Sequence, residues 1–317
     1  MTITKEEAEK LIEHNLDSDR LKRIIWNTSV VAWSNVITVQ NVNLWLENFT
    51  GKYFQNVENE RKLALWLLAH FVYYTYDDVR ALCKVLFNRI IHEKILDMEE
   101  GDSIESVICE LTEETLFIGL GNNSESGNNL LYYFRQENRL PKSCFEYDLK
   151  KQYKNLIYID DITMSGSQAV QYIESRKFDI NNIYAGFLIA TDVAIKCLNN
   201  SQKKIKTVST MLLDSRDKVF SEESYVFSGK EVKAIKTAAK EFCEVYGKVA
   251  IEHDGYMSTW PLGFADGQYI LGFEYNTPDN TLPIFWGTSN GWHPLFKRYQ
   301  KIYSKGKESA LDGRKYY

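Results

Sequence analysis

Four short apolar runs, at 116–120, 156–159, 184–190 and 208–213, constrain this chain more than any other feature of its sequence. Each gives way to a small or polar residue and then to helical periodicity. The runs are apolar on both faces, so a strand made from any of them must be covered on both sides. Parallel strands sandwiched between helices meet that demand. The alternation therefore predicts a doubly wound, Rossmann-like α/β domain built on a parallel sheet.

The flanks read differently. Up to about residue 100 the pattern is helical: Asp17, Ser18 and Asp19 offer N-caps, and 60–97 contains neither Pro nor Gly while its apolar residues recur every three or four positions. Leu65, Leu68, Ala69 and Val72 would share one helical face. Trp66, Leu67, Phe71 and Tyr74 leave almost no polar face there, so a helix buried between neighbours is expected. From about 247 the chain is richer in Pro and Gly, and a strand within 267–275 should lead into a turn at 276–281. The expected organisation is a helical N-terminal region (1–100), an α/β core (101–246) and a C-terminal extension (247–317), packed as one body.

Composition narrows the function classes. A net charge of −5 argues against a protein that coats nucleic acid by electrostatics alone. Lys22, Arg23, Arg61, Arg80, Lys84 and Arg89 add positive charge to the helical region, but Glu58, Glu60, Asp77 and Asp78 dilute it, so an RNA-binding module is the weaker reading. The five Cys residues lie far apart with no CxxC pair, which points to reduced packing residues and not to zinc or disulfides. The N-terminus has no apolar leader, and the longest apolar run, 63–74, is too short to span a bilayer. A cytoplasmic location without membrane attachment is expected.

The chemistry concentrates at 156–168. Four apolar residues bring Asp160 to the C-terminal edge of a sheet, where open α/β folds bind ligands. Asp161 follows, then Thr163, and a loop of Ser165, Gly166 and Ser167 opens a helix at Gln168. Free backbone N–H groups, small side chains and hydroxyls at a helix start make a phosphate cradle. Two carboxylates beside an anion site need another partner, either ribose hydroxyls or a hydrated Mg²⁺. The alternative is an ordinary strand-to-helix turn, with Asp161 or Thr163 as N-cap and Gly166 relieving backbone strain. A second strand-loop-helix runs from 116–120 through a Gly- and Asn-rich loop containing Asn122, Ser126 and Gly127; its alternative is a long surface loop. Thr191-Asp192 and Asp214-Ser215-Arg216 end successive strands on the same edge. Arg216 is a candidate bidentate donor to phosphate oxygens or a solvated side chain, and Asp192 a pocket residue or a helix cap. His253, Asp254 and His293 form no triad.

The stretch 158–168 resembles the phosphoribosyl-pyrophosphate signature of type I phosphoribosyltransferases. That resemblance implies the phosphoribosyltransferase version of the parallel sheet with a hood-like C-terminal extension, and Mg²⁺ as cofactor. Asp160 and Asp161 would hold the ribose 2′- and 3′-hydroxyls and the metal, acting as the catalytic pair. Thr163, Ser165, Gly166, Ser167 and Gln168 would surround the 5′-phosphate, with Asn122, Ser126 and Gly127 at the pyrophosphate. Two positions depart from the pattern: Met164 replaces the Asp or Thr often found beside the base, and Gln168 the usual closing Thr. They leave two readings open, an enzyme acting at the anomeric carbon and a non-catalytic nucleotide sensor. The tail 269–286, with 44–49 and 63–74, is similar to a phosphoribosyltransferase-like subgroup of bacterial conflict islands, including retron and cyclic-oligonucleotide defence loci. It implies a toxic antiphage effector with Glu274, Asn276, Asn280 and Trp286 over the base, and as partners a defence-system protein or RNA component and a second copy of the chain.

Overall fold

The computed structural model describes residues 3–121, 126–148, 150–180 and 182–298, with the backbone alone at 126–128 and 256. Helices α1 (Lys5–Asn15), α2 (Ser18–Ala32), α3 (Val39–Leu46) and α4 (Val57–Ala69) come first. Each starts on a side chain that accepts a first-turn N–H, from Thr4, Asp17, Thr38 and Asn56 respectively. The uninterrupted helical periodicity expected over 60–97 does not become one helix. At Val72–Tyr74 the chain forms a strand, β1, and Thr75 then caps α5 (Tyr76–Leu96) through a reciprocal box with Asp78. Val72 is accordingly half exposed instead of sharing a helical face with Leu65. A β-branched residue and two tyrosines accept a strand readily, and a distant segment supplies the pairing.

Next come α6 (Ile104–Glu113), β2 (Thr115–Gly119), α7 (Ser126–Glu137), β3 (Asn155–Thr163), α8 (Ser167–Ser175), β4 (Asn182–Thr191), α9 (Asp192–Asn199) and β5 (Lys206–Leu213). The four strands form one parallel sheet in the order β2-β3-β4-β5. Successive side chains point to opposite faces. Phe117, Ile157, Ile159 and Tyr184 therefore pack on Leu86, Phe87, Ile90, Leu130 and Phe134 of α5 and α7. Leu116, Leu156, Tyr158 and Ala185 face Ala169, Ile173 and Leu198 of α8 and α9. The chain is α/β with a parallel sheet covered on both sides, as its apolar runs require.

The remaining elements are α10 (Lys230–Lys233), α11 (Lys236–Ala250) and a short strand β6 (Leu271–Phe273), which pairs in parallel with β1. A second core unites α1–α4 with α11 and the tail; in it Trp45 stacks on Phe285 at 5.5 Å and donates Nε1–H to the Ile284 carbonyl at 2.7 Å. A buried carboxylate organises this core. Glu60 accepts the backbone N–H groups of Gly51, Tyr53 and Phe54 at 2.7–2.8 Å and the Tyr246 hydroxyl at 2.5 Å, which meets the requirement that a buried charge be bonded. Among the described residues no helix is long and apolar enough to cross a membrane.

Candidate functional site

β3 extends further than its apolar run. It continues through Asp160, Asp161 and Ile162 to Thr163, paired with Ala190 of β4, so both acids belong to the strand and only 164–166 form the loop. The register with β4 is unbroken on either side of the second acid, from Asp160↔Phe187 to Ile162↔Ile189. The Asp160 carboxylate accepts Asp161 N–H at 3.0 Å, and the Asp161 carboxylate accepts Ile162 N–H at 2.8 Å. Short polar side chains compete with a ladder in this way. The strand's pleat sends the two acids to opposite faces. Asp161 is the buried one, on the side of α5 and the tail, where the Tyr275 hydroxyl donates to it at 3.0 Å.

Tyr275 was not legible as a site residue. Its hydroxyl is enclosed, and burial raises its pKa well above the ordinary phenol value, with the neighbouring Asp161 carboxylate adding to the effect. The phenol is thereby held in its donating form. Its ring remains partly accessible and, with Tyr76, Tyr132, Tyr133, Asn129 and Leu130, lines a cleft of about 330 Å³. Glu274, the preceding residue, accepts the Tyr76 backbone N–H at 2.9 Å and so anchors the tail to the start of α5.

The loop after β3 ends at Gly166, whose φ of +75° is left-handed and which precedes α8 without any side-chain cap. Neither Asp161 nor Thr163 caps the helix, so the ordinary-turn reading lacks its capping residue. Ser167 N–H has only a long 3.4 Å contact with Ser165 Oγ. The Gln168 and Ala169 N–H groups find no acceptor among the described residues. Uncapped N–H groups at a helix start carry partial positive charge. A Cβ at Gly166 would stand 2.8 Å from the Ala194 carbonyl oxygen, so the loop is pressed against α9. Thr191 holds it from the other side: its hydroxyl donates to the Met164 carbonyl at 2.5 Å while accepting Ala194 N–H at 3.0 Å.

Thr163 is buried, Ser165, Ser167 and Gln168 are exposed, and Met164 packs partly against the sheet core. Asn122 lies outside the described residues; Ser126 and Gly127 open α7, with their side chains outside the description. β2 ends beside Ile159, which accepts Leu120 N–H at 3.0 Å, so the segment that follows leaves the sheet next to Asp160. Arg216 follows β5, two strands and hence about 10 Å from β3. It is joined to Asp214 through Nε at 3.0 Å and a terminal amino group at 2.6 Å, and holds that carboxyl below its usual pKa. Asp192 is the first residue of α9 and pairs with Lys196, Thr191 being the cap. Asn276 closes a backbone turn with Phe273, and Asn280 bonds the Phe264 carbonyl. Trp286 is buried and donates to the Thr281 carbonyl. Among the described residues no group of three or more His, Cys, Asp or Glu is gathered for a metal.

The parallel sheet thus carries an acidic pair near the end of a central strand and, beside it, an open helix start. The chain belongs to the PRTase-CE family, whose model matches residues 42–298. Among solved structures it is similar to an orotate phosphoribosyltransferase from Aeropyrum pernix, with 16% identity, a TM-score of 0.24, and 33% of this chain and 63% of that one covered. A hypothetical protein from Neisseria gonorrhoeae with bound ppGpp aligns at 13% identity and a TM-score of 0.27, over 54% of this chain and 96% of its own. No curated protein matches. The assignment thus rests on the family match.

Proposed function

We propose that this protein binds phosphoribosyl pyrophosphate, or a closely related nucleotide, and transfers its ribosyl group. The observation that carries this reading is the uncapped start of α8 beside two strand-end carboxylates. Ser165, Gly166, Ser167 and Gln168 would take the 5′-phosphate through backbone N–H groups and hydroxyls. Asp160 and Asp161 would hold the ribose hydroxyls, the second of them oriented by Tyr275. As the C1–O bond to diphosphate breaks, an acceptor forms its bond to C1, and we assign that acceptor to the tyrosine-lined cleft.

The donor set suits Mg²⁺, because that ion takes one or two carboxylates and fills its shell with water and phosphate oxygens. Since the pleat parts the two carboxylates, Asp160, on the side of the α8 start, would hold it, and when bound it would neutralise the departing diphosphate. Positioned carboxylates and phosphate donors matter more in such a reaction than a strong base.

The packing of Met164 against the core favours a second reading, a nucleotide sensor without turnover, since no acid or base stands at that position. The resemblance of the tail and helical stretches supports a role as an antiphage effector. Calorimetry with phosphoribosyl pyrophosphate, with and without Mg²⁺, followed by product analysis, separates the readings. The Asp160→Asn/Asp161→Asn double variant should lose turnover and any toxicity to cells while keeping its melting curve. Turnover retained in that variant would overturn the assignment of the reaction to the Asp160–Asp161 pair; binding without product in the native chain would establish the sensor.

A further inference from the structure

A second site is built where α7 ends against the middle of α5. There the surface falls into an open depression of about 750 Å³, lined by Arg80, Lys84, Phe87, Asn88 and Ile91 of α5 and by residues 136–139. The α5 positions recur at helical spacing and share one face. Phe87 and Ile91 supply an apolar floor, Asn88 and Gln136 supply amides, and the lining holds three cations, Arg80, Lys84 and Arg139, to one carboxylate, Glu137. That carboxylate takes Arg80 through Nε at 2.6 Å. Lys84 and the Arg139 guanidinium have no side-chain partner among the described residues.

The backbone gives an independent indication. α7 closes with Leu140 N–H on the Arg135 carbonyl and Arg139 N–H on the Gln136 carbonyl, the paired bonds of a Schellman end. Arg139 occupies the left-handed position of that motif, at φ +51°, where Gly is usual and Asn the common substitute. Asn138 locks the end further, its amide donating to the carbonyls of Phe134 at 2.8 Å and Cys83 at 3.2 Å. Interaction of a cation with the negative end of α7 would be the plain explanation. A Gly there would satisfy the same carbonyls without strain, and the unpartnered Lys84 on the facing helix serves no helix end. Strain retained at a charged residue beside a cavity points to a ligand.

We propose that this depression is a second ligand site, which takes a nucleotide with its phosphates on Lys84 and Arg139 and its base over Phe87 and Ile91. It is separate from the end of β3: α7 alone, from Ser126 to Glu137, spans about 18 Å.

The test uses full-length protein carrying Asp160→Asn/Asp161→Asn, so that the strand-end site is disabled, and measures the fluorescence of N-methylanthraniloyl-ADP on titration. Saturable binding is expected. Adding Lys84→Gln and Arg139→Gly should weaken it by about tenfold or more, as charge-assisted contacts are lost. Arg139→Gly alone should raise Tm by roughly 1–3 °C, because Gly suits the left-handed turn, so the loss of binding cannot be a loss of fold. Unlabelled ADP should displace the probe more effectively than inorganic tripolyphosphate. Absence of saturable binding, an affinity unchanged by the two substitutions, or equal displacement by tripolyphosphate would each overturn the assignment.

Discussion

β3 and β4 are neighbours in one sheet, and each runs into a helix on the same face, yet their junctions are finished in opposite ways. β4 passes to α9 through Thr191, which caps the helix with its own hydroxyl. β3 passes to α8 through a left-handed glycine that caps nothing. The closed junction also supports the open one, since Thr191 bonds the Met164 carbonyl and Ala194 abuts Gly166. The contrast teaches that a helix start without a side-chain cap needs a neighbour whose own start is complete. Local stability is concentrated at one junction so that polar groups can remain available at the other.

The largest effect expected on this arrangement comes from Gly166→Ala. The added methyl meets backbone at 2.8 Å in a left-handed conformation, and the two penalties together should cost about 3 kcal/mol. A fall in Tm of roughly 4–5 °C in a thermal melt would register it; an unchanged melt would mean that α9 does not press on the loop. Thr191→Val removes a cap and a bond to a carbonyl, with an expected loss of about 2 kcal/mol by denaturant titration. It should also weaken phosphoribosyl pyrophosphate binding, although Thr191 itself is assigned no ligand contact. Tyr275→Phe deletes one hydrogen bond to a carboxylate, about 1.5 kcal/mol, and should reduce affinity for the ribosyl ligand in calorimetry. Ser165→Ala should leave stability within about 0.5 kcal/mol, since its contact with Ser167 N–H, the one it makes among the described residues, is long. Its affinity for inorganic phosphate should nevertheless fall, and equal affinities would remove Ser165 from the cradle.

The sheet was legible because its strands are apolar on both faces and each is followed by a helix, two local signals that agree. The length of β3 was not. Asp is a poor strand residue by local preference, and pairing of Asp160, Ile162 and Thr163 with β4 carries the strand past its apolar stretch. β1 and β6 are three residues each and gain their identity from one another across the length of the chain. At the site, the acidic pair and the Ser-Gly-Ser turn could be read directly, since both are contiguous. Tyr275 could not, because nothing near it in sequence marks Asp161 as its partner. The sequence displayed Arg216 as a cation but not that Asp214, two residues earlier, engages it.

The bond between Tyr275 and Asp161 joins residues 114 positions apart. On a ribosome adding about 5–20 residues per second, the carboxylate emerges roughly 6–23 s before the phenol that orients it. During that interval the rest of the strand, the loop and α9 are added, while the cleft still lacks its tyrosine wall from the tail. Synthesis itself thus orders the contact: the carboxylate is laid down first, and the phenol that orients it is supplied afterwards.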